Sequence, residues 1–140
     1  LFGYSGSGKT WLYQQVFDRE KIQYSVVDAA SMRGDSFGSI FDNFLAMKGI
    51  RKPTSETLKI GGDNSPIAGE ALRKNRETDP AYETMKYVGR HSKSGQKSVL
   101  VIDNTETIVG YEKALISLGN LIRRCTENEY AKTNCSILLV

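Results

Sequence analysis

Residues 3 to 10 read GYSGSGKT, a stretch whose glycines, lysine and closing threonine are suited to holding an anion. Glycine adopts positive φ without strain and lets the main chain approach a ligand closely, so the N–H groups of Gly6 to Thr10 are candidates to surround a diphosphate. Gly3, Ser5 and Ser7 complete the loop. Lys9 supplies a point charge for terminal phosphate oxygens, and the Thr10 hydroxyl is a ligand suited to Mg²⁺. A helix starting at this point adds the positive end of its dipole.

The spacing of Gly3, Gly8, Lys9 and Thr10 fits G-x-x-x-x-G-K-[ST], the Walker A motif. At ordinary glycine usage it arises by chance in well under ~1% of chains of this length. WLYQQVF follows directly, with Leu12 and Val16 beside Trp11 and Phe17 as an apolar helical face. Loop followed by helix is the setting the motif requires, and it places Trp11 at the edge of the nucleotide site.

A second chemical signal lies some ninety residues on. SVLVIDN, Ser98 to Asn104, is an apolar run closing on an acid. Such a run is a buried parallel strand, and Asp103 emerges where that strand ends, placed to hold Mg²⁺ mainly through water. This is the Walker B form. Alone it is weak, because many parallel strands end in Asp; paired with GYSGSGKT it is strong.

The elements that must position these residues are legible around them. IQYSVVDAA, Ile22 to Ala30, is a β-branched and aromatic run that predicts a buried strand. Ser36 is placed to cap a helix whose stripe is Phe37, Ile40, Phe41, Phe44, Leu45 and Met47, ended by Gly49. Asp79 followed by Pro80 is a helix start, and Ala81, Tyr82, Met85 and Val88 give that helix its apolar side. A further helix is expected over Glu112 to Glu127 with Ala114, Leu115, Leu118, Leu121, Ile122 and Cys125 inward, and CSILLV supplies the next strand. Residues 50 to 79 carry Pro53, Gly61, Gly62, Pro66 and Gly69 with little periodicity, and are expected to form a surface insertion containing a small hairpin. The alternation predicts an α/β fold, three layers (α/β/α) around a mostly parallel sheet.

Composition bounds the function. With 140 residues and 39% hydrophobic content the chain can form one core, read as a single unit over residues 1–140. Beginning on Leu1 two residues before the loop and ending in SILLV, it is expected to be a domain truncated at both ends. No apolar run approaches the ~20 residues of a membrane span, so a cytoplasmic protein without membrane contact is expected. Cys125 and Cys135 do not make a metal or disulfide framework and read as plain reduced thiols. The net charge of +3 is concentrated in residues 51 to 97, where ten Lys and Arg face six Asp and Glu. Nucleic acid is one partner such a region could touch, but a solvated surface accounts for the charge equally well.

Several groups share these motifs. SKSGQ, Ser92 to Gln96, is similar to the signature loop of ATP-binding cassette transporters, but only Lys97 separates it from the Walker B strand, where that family has a helix. RKNR, Arg73 to Arg76, is similar to the lid arginines of small-molecule kinases but precedes Walker B instead of following it. The whole layout resembles the AAA+ and STAND group of P-loop NTPases, in the origin-recognition-like or signalling branch. The resemblance implies ATP and Mg²⁺ as ligands, ATP hydrolysis, and a nucleotide-driven conformational or assembly switch working with further copies or other domains. Alternatives are a switch module with negligible hydrolysis and, behind it, a small-molecule kinase.

One departure is chemical. The family usually places an acid after the Walker B Asp to activate water, and this chain has Asn104, which cannot take a proton. Glu106, two residues on, is the nearest substitute, and Asp28, leaving the strand of Ile22 to Ala30 at the same sheet edge, is another candidate, so the catalytic candidates are Lys9, Asn104, Glu106 and Asp28. Equally, Glu106 could cap the next helix and Asp28 could stabilise a turn. Arg123 and Arg124 precede the position of the family's arginine finger and read as surface residues.

Overall fold

The computed structural model describes residues 6–50, 79–92 and 96–140. The expected insertion, with RKNR, lies outside the described residues apart from its ends, Ile50 and Asp79. Elements run in the order α1 (Lys9–Arg19), β1 (Tyr24–Asp28), a 3-10 turn (Ala29–Ser31), α2 (Ser39–Met47), α3 (Pro80–Arg90), β2 (Ser98–Asp103), a second 3-10 turn (Thr105–Ile108), α4 (Glu112–Arg124), α5 (Asn128–Ala131) and β3 (Cys135–Leu139). The α/β fold expected from the alternation is present.

The sheet has the order β1-β2-β3 with both pairings parallel. Its register sets Tyr24 against Val99 and carries through to Asp28 against Asp103, while Ser98 to Ile102 run beside Cys135 to Leu139. All three strands therefore end along one carboxyl edge, and β2 lies in the middle.

Alternation along the strands sorts residues onto two faces. On one, Val101 and Val140 pack with Tyr13, and Phe17, Tyr24, Val99 and Leu138 surround them. On the other, Val27, Leu100 and Ile102 join Ile40, Phe41 and Leu45 of α2, Met85 and Val88 of α3, and Ala114 and Leu121 of α4. Helices thus cover both faces. Burying each large apolar side chain contributes about 1.5–3 kcal/mol, so the larger core on the α2–α3–α4 side carries most of the stabilisation.

Helix ends follow local chemistry. Asp79 caps α3, its carboxylate accepting from Ala81 N at 3.0 Å with Pro80 in the first turn. Gly49 ends α2 with φ 70 while Gly49 N and Ile50 N donate to Ala46 O and Leu45 O at 3.0 and 2.9 Å, the left-handed cap that glycine favours.

Four expectations are corrected. The inward stripe of α2 stops at Leu45, since Met47 is 86% exposed. Ser36 does not cap α2: Gly38 holds the cap position without a side-chain bond, and Ser36 instead offers its carbonyl to Ser39 N and Oγ at 3.1 and 2.6 Å. In α1 the buried side chain is Tyr13, whereas Trp11 and Leu12 are 64% and 47% exposed. In α4 the inward seam is Ala114, Leu118, Leu121 and Cys125, while Leu115 and Ile122 face outward. Each seam advances by three and four residues, and positions one step off it rotate about 100° away from the core.

Candidate functional site

The loop before α1 turns on glycine. Gly6 and Gly8 have φ of 78 and 80, a conformation in which an L side chain is strained. Open space surrounds the Cβ position of both, so the backbone there is approachable. Gly8 precedes the first residue of α1, so the N-terminal end of that helix, with the positive end of its dipole, meets the loop. Ser7 is exposed and Lys9 half-buried. Gly3 and Ser5 lie outside the described residues.

Thr10, on the first turn, is brought to the end of β2, 93 residues away: its hydroxyl donates to Asp103 Oδ2 at 3.1 Å, with Oδ1 at 3.5 Å. One turn further along the same helix face, Tyr13 OH donates to the same Oδ2 at 3.2 Å. Asp103 Oδ1 accepts from the backbone N–H of Asn104 at 2.9 Å. Three donors thus hold the carboxylate, which is 8% exposed. Burial first, then the neighbouring Asp103 charge, push the Tyr13 hydroxyl up to about 12, so at neutral pH it is protonated and donates. Sequence reasoning missed Tyr13, although its spacing of three from Thr10 on a helix was a usable signal.

Asp28 closes β1 directly opposite Asp103 in the register. Its Oδ1 accepts from Ala30 N at 2.9 Å, capping the 3-10 turn, and from Asn104 Nδ2 at 2.9 Å. Asn104 has φ 58 and ψ 38, a left-handed conformation that Asn tolerates better than most residues. Glu106 sits exposed in the following turn, where its carboxylate has no hydrogen bond or ion pair to the described residues. Thr105 ties the same turn to the end of β3, its N–H and hydroxyl both donating to Val140 O at 2.9 and 2.8 Å.

Arg124 is occupied elsewhere: Nη1 donates to Asp79 Oδ2 at 2.7 Å, and Tyr130 OH donates to the same oxygen. Arg123 is exposed. Both thiols are free, and burial pushes Cys125 up and Cys135 up to about 11, which suits inert packing residues. Among the described residues no helix is long and apolar enough to cross a membrane.

The oxygen donors of Thr10 and Asp103 beside an approachable glycine turn fit a hard divalent cation and a polyphosphate. A Mg²⁺ in such a site uses one or two protein ligands and completes its shell with water and phosphate. The absence of any cluster of three or more metal-ligating side chains among the described residues is therefore compatible with that fit.

Comparison with curated proteins and with solved structures returns no match. A family model described as an AAA domain matches residues 1–140, the whole chain. AAA domains are P-loop NTPases that bind ATP, generally with Mg²⁺, and are typically ATPases. With GYSGSGKT at its start, Asp103 at the end of a central parallel strand and the family model covering it end to end, the chain belongs to the AAA domain family.

Proposed function

We propose that this domain binds ATP with Mg²⁺ and hydrolyses it, and that its nucleotide state switches the conformation or assembly of the protein that carries it. The observation that carries the reading is the meeting of Thr10 and Asp103 at 3.1 Å beside the glycine loop. Loop residues Gly3, Ser5, Gly6, Ser7 and Gly8 surround the phosphates, Lys9 reaches their terminal oxygens, and Trp11 borders the nucleotide. Thr10 and Asp103 would hold the Mg²⁺, which offsets phosphate charge when bound. The switch assignment follows the STAND and origin-recognition-like resemblance, with other domains or a second copy as the responding partner. Free thiols suit a cytoplasmic setting.

A second reading is favoured by Asn104: a module that holds ATP and turns it over negligibly, because the position after Asp103 carries an amide. Calorimetry and steady-state phosphate release without an acceptor separate the two. In the full-length protein, Lys9→Ala should weaken ATP binding by one to a few factors of ten, each about 1.4 kcal/mol. Asp103→Ala should abolish the Mg²⁺ dependence of affinity. Parent-like binding in Lys9→Ala would defeat the phosphate-site assignment, and tight binding without turnover in the parent would select the second reading.

A further inference from the structure

We infer that the carboxylate that orients the attacking water and takes its proton is Asp28, contributed by β1, and that Asn104 is its positioning residue. This rests on the hydrolysing reading above and assigns its missing acid. The usual carboxylate and its neighbouring strand have here exchanged roles: the amide stands after Asp103, and the acid stands across the sheet.

Register and hydrogen bonding carry the assignment. Asp28 and Asp103 are ladder partners at the last position of β1 and β2. Residues paired in a parallel ladder share a face, on strands about 4.8 Å apart. The two carboxylates thus leave the sheet side by side on the face that α1 covers, where Thr10 and Tyr13 reach Asp103. Asn104 joins the pair. Its backbone N–H donates to Asp103 Oδ1 and its side-chain amide to Asp28 Oδ1, both at 2.9 Å. Together with Ala30 N at 2.9 Å, that amide occupies Oδ1 of Asp28, while Oδ2 of this exposed residue accepts no hydrogen bond from the described residues. Asp28 therefore has one oxygen fixed and one oxygen open, which is what a base that must hold a water in place requires.

An acid at position 104 would not reproduce this. With the backbone left-handed at φ 58, a glutamate there would be strained and would turn a second negative charge toward Asp28 in place of a donor. Glu106, by contrast, is tied to neither carboxylate.

In the step itself, the water oxygen forms its bond to the γ-phosphorus as its proton passes to Asp28 Oδ2, and the bond from the γ-phosphorus to the bridging oxygen breaks. ADP leaves with that electron pair, and Asp28 afterwards returns the proton to solvent.

The test uses the full-length protein, with ATP affinity from calorimetry and turnover from phosphate release measured on the same preparations. Asp28→Asn keeps an acceptor for Ala30 N, so it should bind ATP within about threefold of the parent and lose about 10²- to 10⁴-fold in kcat, the span of a general base. Asn104→Ala should lower kcat with KM unchanged, and the loss in Glu106→Gln should be smaller than that in Asp28→Asn. Loss of a merely structural Asp28 lowers ATP affinity and the unfolding midpoint together with kcat, whereas loss of a base leaves both near the parent values. Parent-level turnover in Asp28→Asn, or a loss confined to Glu106→Gln, overturns the assignment. So does a parent that binds ATP without turning it over, though nucleotide binding then stands; a parent that binds no ATP removes both readings.

Discussion

Asp103 accepts four contacts from three residues: two from the Thr10 hydroxyl, one from Tyr13 and one from Asn104 N. A buried carboxylate held in this way is fixed in orientation, because donors from three residues converge on it. Tyr13 is the least expected member and gives a test at this scale. Replacing it with Phe removes a buried hydrogen bond to a charged group, and should cost about 1.5–3 kcal/mol of stability at neutral pH, measured by chemical denaturation. The pH dependence has a definite sign. A tyrosine whose folded pKa is raised from 10.0 to about 12 contributes stability that is fully present below pH 10 and is lost as pH rises to about 12. Tyr13→Phe should flatten that alkaline decline. Tyr130, which burial and Asp79 raise as well, and the raised thiols of Cys125 and Cys135 contribute to what remains of it.

At the level of elements, α1 is oriented by chemistry as much as by hydrophobicity. Thr10, Tyr13 and Phe17 share one helical face by their spacing, and pointing that face at β2 brings Thr10 to Asp103 and leaves Trp11 and Leu12 outward. α3 shows a different constraint. A Cβ added at Gly89 would lie 1.6 Å from the carbonyl oxygen of Thr133, so only glycine lets this helix approach the chain entering β3. Gly89→Ala should therefore destabilise by about 1–3 kcal/mol or more, the cost of overpacking against backbone. Gly119, on the exposed side of α4, has open space at its Cβ position, and Gly119→Ala should instead gain up to about 1 kcal/mol. Denaturation midpoints of the two variants should move in opposite directions.

For the whole molecule, the site is assembled from parts far apart in the chain, since Thr10 and Asp103 are separated by 93 residues. Any ligand that bridges them binds the folded state and not the unfolded chain. With Mg²⁺ and ATP at a hundred times the dissociation constant, stability should rise by about 2.7 kcal/mol, read as an increase in the thermal midpoint. Lys9→Ala should cut that increase to about half or less at the same nucleotide concentration. An equal increase in the variant would mean that the nucleotide stabilises the protein from some other place.

Much of this architecture is legible in the sequence. GYSGSGKT and SVLVID are local patterns in which glycine freedom, a lysine charge and an apolar run ending in Asp each have a direct physical meaning, and Asp79–Pro80 and Gly49 marked helix ends through bonds made within a few residues. Helical periodicity also located α1 and α4, but not which way they face. That was decided by tertiary packing, because the rotation of a helix depends on the strand beneath it: Tyr13 turned inward in place of Leu12, and of the expected α4 stripe Leu115 and Ile122 turned outward. The pairing of Asn104 with Asp28 was equally beyond the sequence. It depends on the register between β1 and β2, which hydrogen bonds and the buried faces of both strands set together across 76 residues of chain.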